Sequence, residues 1–595
     1  MKIQRSSYSL RHRLVAVGVV MGLFGAVLVA RAAHLQLINP EFYQQQGDAR
    51  FLREVPIPTS RGMITDRNGE PLAVSSPVES VWVNPQELLQ HPERLPALAD
   101  ALGIPREVLL QRVTQRAHKE FLYLRRHMNP DLAAEVTDLG IPGVYSQREF
   151  RRFYPHGEVM AHVLGFTNID DHGQEGLELA FEDWLTGTEG AQQVIRDRRG
   201  RVVENVDLIK AAEPGRDLML SIDRRIQYLA YRELKAALIE HGASAGSIVV
   251  LDVPTGEILA MVNQPSYNPN ARESATTDAQ RNRAVTDVVE PGSVMKTLTF
   301  AAALESGKFT PETPIETAPG YMTLAGGHQI RDFRNYGTLT LTGVLTKSSN
   351  LGATLVAQQL SNEHQFDIYH RFGLGQPTGS GFPGESAGVL RGPNVWGPAE
   401  KATISYGYGL SVTPLQLARA YAAIGNGGRI NQATFVKGAN AESEQVVDPA
   451  IAAQLMQMME TVTGPEGTAR RAAVLGYRVA GKTGTSRKAS GGGYAAKRYA
   501  AVFVGLVPAS NPRFAMAVVI HDPQGEEYGG GAVSAPIFHN VMDGALRLMD
   551  VPPDNIEQWF AEQARKTAPR AAVAAAPVPP PAALPVGGDD AGALR

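Results

Sequence analysis

DLMLSIDRRIQYLAYRELKAALIEHGASAGSIVVLDVPTGEILAMVN, residues 217–263, is the stretch on which the fold turns. DLMLSI (217–222) reads as a strand. DRRIQYLAYRELKAALIEHG (223–242) reads as an amphipathic helix, opened by Asp223 as N-cap and closed by Gly242. SIVVLDV and EILAMVN (247–253 and 257–263) flank Pro254-Thr255-Gly256 and read as a β-hairpin. Far downstream, KRYAAVFVGLV (497–507) and RFAMAVVIHD (513–522) form another apolar strand pair. Strands at both ends of a region with helices between them predict one antiparallel sheet closed by its termini. The region from 216 to 551 is thus one layered α/β domain.

Upstream, residues 38–215 mix short strands and helices. GMITDRNGEPLAV (62–74) carries the hairpin signal Asn68-Gly69, and helical patterns occupy the neighbourhood of 96–117 and 131–139. Nothing there has a catalytic pattern, and the segment reads as a pedestal. Residues 14–30, LVAVGVVMGLFGAVLVA, carry no charge and suit a membrane span over 14–37, with Arg31 snorkelling to the interface. The span exceeds the usual apolar core of a signal peptide, so an uncleaved anchor is expected despite the Ala30-Arg31-Ala32 pattern. Lys2, Arg5, Arg11 and Arg13 lie in the stub 1–13 and place the N-terminus on the cytoplasmic side. Residues 552–595, with VAAAPVPPPAALP at 573–585, form an Ala/Pro-rich tail expected to be disordered.

Composition bounds the chemistry. The 595 residues are 43% hydrophobic and 20% charged, ample for a sizeable core, with a net charge of -3 that gives no reason to expect nucleic acid. The absence of cysteine excludes disulfides and thiol catalysis.

Three short motifs then follow in order: Ser293-Val-Met-Lys296, Ser348-Ser349-Asn350 and Lys482-Thr483-Gly484, separated by about fifty and then about 130 residues. Glu290-Pro-Gly places Ser293 at a helix start, where the helix dipole favours a developing alkoxide. Lys296, three residues on, lies on the same face beside apolar Met295, Leu298 and Phe300. Burial there lowers its pKa and makes it a neutral base. Ser348 and Asn350 fall in a loop between two helical segments (341–360), with a hydroxyl to relay a proton and an amide to hold a carbonyl or the lysine. Lys482, Thr483 and Thr485 lie on an edge strand whose Gly484 lets a peptide approach the backbone. The N–H groups of Ser293 and Thr485 form an oxyanion hole in this reading.

Each motif alone is weak. Ser266-Tyr267-Asn268 repeats the second, and Gly476–Thr483 matches a P-loop in full. A P-loop must open a helix, whereas TSRKASGGG (485–493) follows. Gly242-Ala-Ser244-Ala-Gly246 mimics a nucleophile elbow but runs helix to strand.

Taken together, the three motifs resemble those of class B penicillin-binding proteins. The resemblance covers nearly the whole chain up to about residue 550 and extends to three longer boxes: Arg61-Gly62-Met-Ile-Thr-Asp66-Arg67-Asn68-Gly69, Arg151-Arg152-Phe-Tyr154-Pro155 and Gly173-Gln-Glu-Gly176-Leu-Glu178. SYGYGLSVTPLQ (405–416) is similar to a cleft-lining segment of the family, with Tyr406 and Tyr408 as walls. Within the class the likeness is greatest to the division-septum type. It implies an α+β multidomain protein with an N-terminal transmembrane helix, a pedestal for dimerisation or interaction, and a penicillin-binding, β-lactamase-like transpeptidase domain. That domain is an antiparallel sheet with helices on both sides. It also implies a D,D-transpeptidase of the bacterial inner membrane, with the catalytic domain periplasmic. Ser293 attacks the penultimate D-alanine carbonyl of a stem pentapeptide, Lys296 is the base, and Ser348 and Asn350 relay and position. Lys482, Thr483 and Thr485 bind the terminal carboxylate, and Gly484 and Tyr408 also belong to the substrate-binding set. β-Lactams are the implied inhibitors, and division-complex membrane proteins with a septal glycosyltransferase the implied partners; no cofactor or metal is implied. Ser349 stands where the S-D-N form of the motif has aspartate, which weakens a β-lactamase reading more than a transpeptidase one. An elongation-type or paralogous enzyme, a β-lactam sensor or an inactive scaffold are the alternatives.

Overall fold

The computed structural model describes residues 10–34, 52–196, 202–439, 442–490, 493–558 and 560–561. The apolar runs of the catalytic region become strands covered on both faces, as such runs require, and the polar segment of the third motif joins them as an edge strand. They are β1 (Ala245–Asp252), β2 (Ile258–Gln264), β3 (Ala480–Ser490), β4 (Gly493–Val507) and β5 (Phe514–His521), numbered within this domain. The sheet order is β2-β1-β5-β4-β3, antiparallel throughout. Val249 faces Met261 on one side and Ala517 on the other, and Lys482 faces Val504. Every residue of β1, β2 and β5 is buried. Helix α1 (Arg224–Glu240) and the C-terminal α5 (Gly530–Leu548) pack together over one face, and α4 (Pro414–Gly425) covers the other. Asp223 caps α1 by accepting the Arg225 N–H at 3.0 Å, as its sequence position demands. Two further helices carry the site, α2 (Lys296–Glu305) and α3 (Asn350–Gln358).

One expected strand is misplaced. Of 217–222 only Leu218–Met219 is extended, and it pairs parallel with Ile64–Thr65 of the N-terminal region instead of joining the catalytic sheet. The β2 edge of the sheet ends there, and the Ser221 N–H is taken by the Phe435 carbonyl at 2.7 Å. The stretch therefore serves as a joint between the two regions.

The N-terminal region contains the expected hairpin: Ile64 pairs with Ala73 across a turn in which Gly69 has φ 88°. Pro71–Val83, Leu122–Met128 and Val144–Phe153 build its sheet. The helical pattern near 96–117 is two helices, Leu95–Leu102 and Arg106–Thr114, broken where Gly103 turns left-handed (φ 63°) and Pro105 follows. Pro130–Asp138 is helical as read. Val81, Leu98, Leu102, Leu109 and Val136 form a small separate core at the far end. At the near end Ile64, Leu72, Leu164 and Leu177 belong instead to the main catalytic core. The three boxes meet at this joint. Glu178, fully buried, accepts Arg61 Nε and Arg152 Nε at 2.6 Å each. Asp66 accepts the Arg224 N–H of α1 at 3.2 Å, and the Tyr154 N–H reaches Asn270 Oδ1 at 3.0 Å. A three-stranded sheet of Leu52–Ile57, Gly190–Arg196 and Val202–Lys210 completes the region.

The apolar N-terminal segment is helical over Leu10–Ala33, and Arg11–Ala33 is long and apolar enough to cross a membrane. Most of the expected stub and the end of the expected span lie outside the described residues. So does the tail from 562 on. Its first residues are docked: Asp554 accepts the N–H groups of Arg478 (2.7 Å) and Ser510 (3.1 Å).

Candidate active site

A tight turn, Gly292–Met295, delivers Ser293 to the start of α2. The turn is pressed against the SYGYG segment. Gly292 (φ 59°) donates its N–H to Gly407 O at 3.1 Å, and a Cβ on Gly407 (φ 89°) would lie 2.0 Å from Gly292 O. Only glycine fits both positions.

Lys296 is fully buried, with Met295, Leu298 and Phe300 buried beside it as expected. Its Nζ lies 2.8 Å from Ser293 Oγ, 2.7 Å from Ser348 O, 3.2 Å from Ser348 Oγ and 2.7 Å from Asn350 Oδ1. Burial pushes its pKa well below that of an ordinary lysine. The neighbouring Lys482 cation lowers it further, and Asp332 opposes both. A neutral lysine whose two N–H groups are taken by Ser348 O and Asn350 Oδ1 keeps its lone pair for the hydroxyl proton of Ser293.

The second motif is the break between the helices Leu341–Lys347 and α3. Ser348 sits there in the left-handed region, φ 58°, a conformation that costs a non-glycine residue energy. Ser349 is buried and caps α3 by accepting the Gly352 N–H at 2.8 Å; its hydroxyl also donates to Asp332. Asp332 further accepts the N–H groups of Asn350 (2.6 Å) and Leu351 (3.0 Å). A carboxylate from another segment thus clamps the middle of the motif. No sequence signal marks Asp332, because its partners lie about twenty residues on and the contact exists only in the folded chain.

Lys482 comes from β3, the free edge of the sheet. Its Nζ reaches Ser348 Oγ at 2.9 Å, so the Ser348 hydroxyl bridges both lysines. Burial lowers the Lys482 pKa to about 7. Thr483 Oγ1 lies 2.7 Å from Thr468 Oγ1, and Thr485 Oγ1 accepts the Gly530 N–H of α5 at 3.2 Å. Gly484 passes so close to the nucleophile's turn that a Cβ would fall 2.4 Å from Pro291 O. Ser293, Lys296, Ser348, Asn350 and Lys482 therefore converge on one another, and Thr483, Gly484 and Thr485 border them on β3. Tyr406 is buried against Leu324 and Ile330. Tyr408 packs edge-on to Tyr406 (5.9 Å) and Tyr494 (5.5 Å) farther along the cleft. The P-loop match is excluded, since Lys482 and Thr483 lie within a strand that continues to Ser490.

This fold and this site define a serine acyl-transfer enzyme, and the chain belongs to the penicillin-binding protein transpeptidase family. Residues 246–543 match the penicillin binding protein transpeptidase domain, and residues 56–220 match the penicillin-binding protein dimerisation domain. Among known proteins it is similar to the peptidoglycan D,D-transpeptidase FtsI of Escherichia coli K12, 45% identical over 535 residues, covering 89% of this chain and 90% of that one. The transpeptidase domain of penicillin-binding protein 3 from Burkholderia pseudomallei, in its apo form, superposes with a TM-score of 0.52 at 44% identity, over 56% of this chain and 97% of that one. Penicillin-binding protein 3 of Mycobacterium tuberculosis, complexed with aztreonam, gives a TM-score of 0.65 at 28% identity, over 84% of this chain and 98% of that one.

Proposed function

We propose that the chain is a peptidoglycan D,D-transpeptidase of the division septum. The observation that carries this is Lys296, whose Nζ lies 2.8 Å from Ser293 Oγ while Ser348 O and Asn350 Oδ1, each at 2.7 Å, hold that nitrogen in place. Likeness to FtsI supports the septal role.

Ser293 Oγ attacks the penultimate D-alanine carbonyl of a stem pentapeptide as its proton passes to neutral Lys296. The backbone N–H groups of Ser293 and Thr485 stabilise the oxyanion. Ser348, bonded to both lysines, carries a proton to the leaving nitrogen, the C–N bond breaks and D-alanine departs. The acyl group stays on Ser293 as an ester. An amine of a neighbouring stem then attacks the ester, forms the cross-linking amide and returns the proton to the serine. Lys482, Thr483 and Thr485 bind the terminal carboxylate, Asn350 the donor amide, and Tyr408 walls the cleft. A β-lactam enters the same steps and leaves a stable acyl-enzyme. The helix at Leu10–Ala33 anchors the chain in the inner membrane with its N-terminus cytoplasmic and the catalytic domain periplasmic, and the pedestal meets division-complex membrane proteins and a septal glycosyltransferase.

Fluorescent penicillin tests the reading. Stable labelling of the wild type, lost in Ser293→Ala, is expected. Rapid release of the label from the wild type, or labelling that survives the substitution, would overturn it.

A further inference from the structure

A buried tyrosine on the covering helix α4 grips the segment that carries the nucleophile. Tyr421 is 1% exposed, and its hydroxyl lies 2.8 Å from Val294 O and 2.9 Å from Thr297 Oγ1. The direction of both bonds follows by elimination. A carbonyl only accepts and a phenol has one proton, so Tyr421 donates to Val294 O and Thr297 donates to Tyr421. Burial raises the Tyr421 pKa, so the phenol keeps that proton. Val294 follows Ser293 in the tight turn, and Thr297 follows Lys296 in the first turn of α2. One buried hydroxyl thus ties together the neighbour of the nucleophile and the neighbour of the base.

Helix α4 is itself seated on the catalytic sheet, against β1 and β5. Thr485, the other donor of the proposed oxyanion hole, belongs to β3 of the same sheet. The bonds of Tyr421 therefore set the turn that presents the Ser293 N–H against the frame that presents the Thr485 N–H. The hydroxyl makes no hydrogen bond to Lys296, Lys482, Thr483 or Thr485, so it acts on none of their charges or contacts directly.

We infer that Tyr421 is a positioning residue for acyl transfer: through Val294 it holds the nucleophile's turn so that the N–H groups of Ser293 and Thr485 meet on one oxyanion. This inference rests on the oxyanion hole proposed above. Such a hole acts when charge develops on the substrate oxygen, and a misplacement of about 1 Å can cost about a hundredfold in rate. Loss of the hydroxyl should therefore slow acylation itself and spare the binding that precedes it.

The test follows acylation of the full-length protein by fluorescent penicillin over a range of concentrations and pH. It reads the rate at saturation, the half-saturating concentration, the final labelled fraction and the acid limb. Tyr421→Phe keeps the ring and removes both bonds. It is expected to lower the saturating rate about tenfold, with half-saturation within twofold of wild type, full final labelling and an unmoved acid limb. Thr297→Val leaves the bond to Val294 and is expected to cost less than threefold. A Tyr421→Phe rate within threefold of wild type would overturn the inference. So would a loss confined to the labelled fraction, which marks a folding role, a loss in half-saturation, a shifted limb, or an equal loss in Thr297→Val. Failure of the underlying reading looks different: the wild type is not labelled, or labelling persists in Ser293→Ala.

Discussion

Replacing Asp332 by asparagine removes a charge from the site while keeping its shape. In the wild type the carboxylate accepts the Asn350 and Leu351 N–H groups at 2.6 and 3.0 Å and takes the Ser349 hydroxyl. The amide retains one acceptor and one donor, so the loop keeps partners. Charge-assisted bonds are roughly twice as strong as neutral ones, whose net worth is about 1 kcal/mol. Weakening two of them costs about 2 kcal/mol, and if this falls on the positioning of Ser348 and Asn350 the acylation rate drops about thirtyfold. The substitution has a second effect of opposite sign. The groups around Lys296 are Ser293, Ser348, Asn350, the Lys482 cation and Asp332, and of these only Asp332 holds the lysine pKa up. Without it the Lys296 pKa falls further, the neutral base persists to lower pH, and the acid limb of acylation shifts to lower pH. The assay is the second-order rate of fluorescent-penicillin acylation between pH 5 and 10. A lower plateau together with an acid-shifted limb is expected. A plateau within threefold of wild type, or a limb that stays put or moves to higher pH, refutes the argument.

Lys482, with a pKa near 7, loses its charge as pH rises through that value, so the KM for a carboxylate-ended donor should climb above pH 7. Lys482→Arg should flatten that dependence, as donor kinetics against pH will show. Gly484→Val places its first carbon 2.4 Å from Pro291 O, and thermal melting should show a loss of about 1–3 kcal/mol with penicillin labelling abolished. Glu178→Ala leaves Arg61 and Arg152 buried without their shared carboxylate and should cost roughly 3–5 kcal/mol by denaturant unfolding, with limited proteolysis opening the N-terminal region first. Deleting residues 1–34 should move the protein from the membrane pellet to the supernatant and leave penicillin labelling intact.

Four of the five strands of the catalytic sheet were legible because each contains a continuous apolar run, and α1 because Asp223 and Gly242 punctuate an amphipathic repeat. The three motifs were legible for a local reason: each is a helix start, a helix break or an edge strand. What escaped the sequence depends on contacts between distant segments. DLMLSI has the pattern of a strand but finds its ladder partner at Ile64–Thr65. Asp332 looks like a surface aspartate in QIRDFRNYG (329–337) and becomes a clamp only when that segment folds over α3. The helix expected near 96–117 shows the reverse error. Its periodicity runs on across Gly103 and Pro105, whose backbone preferences outweigh the pattern.

The interleaved order of the sheet sets a schedule for the enzyme's birth. β1 emerges from the ribosome some 270 residues before β5, the strand that must lie between it and the rest of the sheet. Until about residue 521 has been made, the β1–β2 pair and the β3–β4 pair lack the strand that joins them into one sheet. Ser293 is synthesised at the midpoint of the chain yet stays unarmed until the last strand is in place. Reactivity toward an acyl donor is therefore expected only once translation is nearly finished, and a chain cut short before that strand should not be labelled by penicillin.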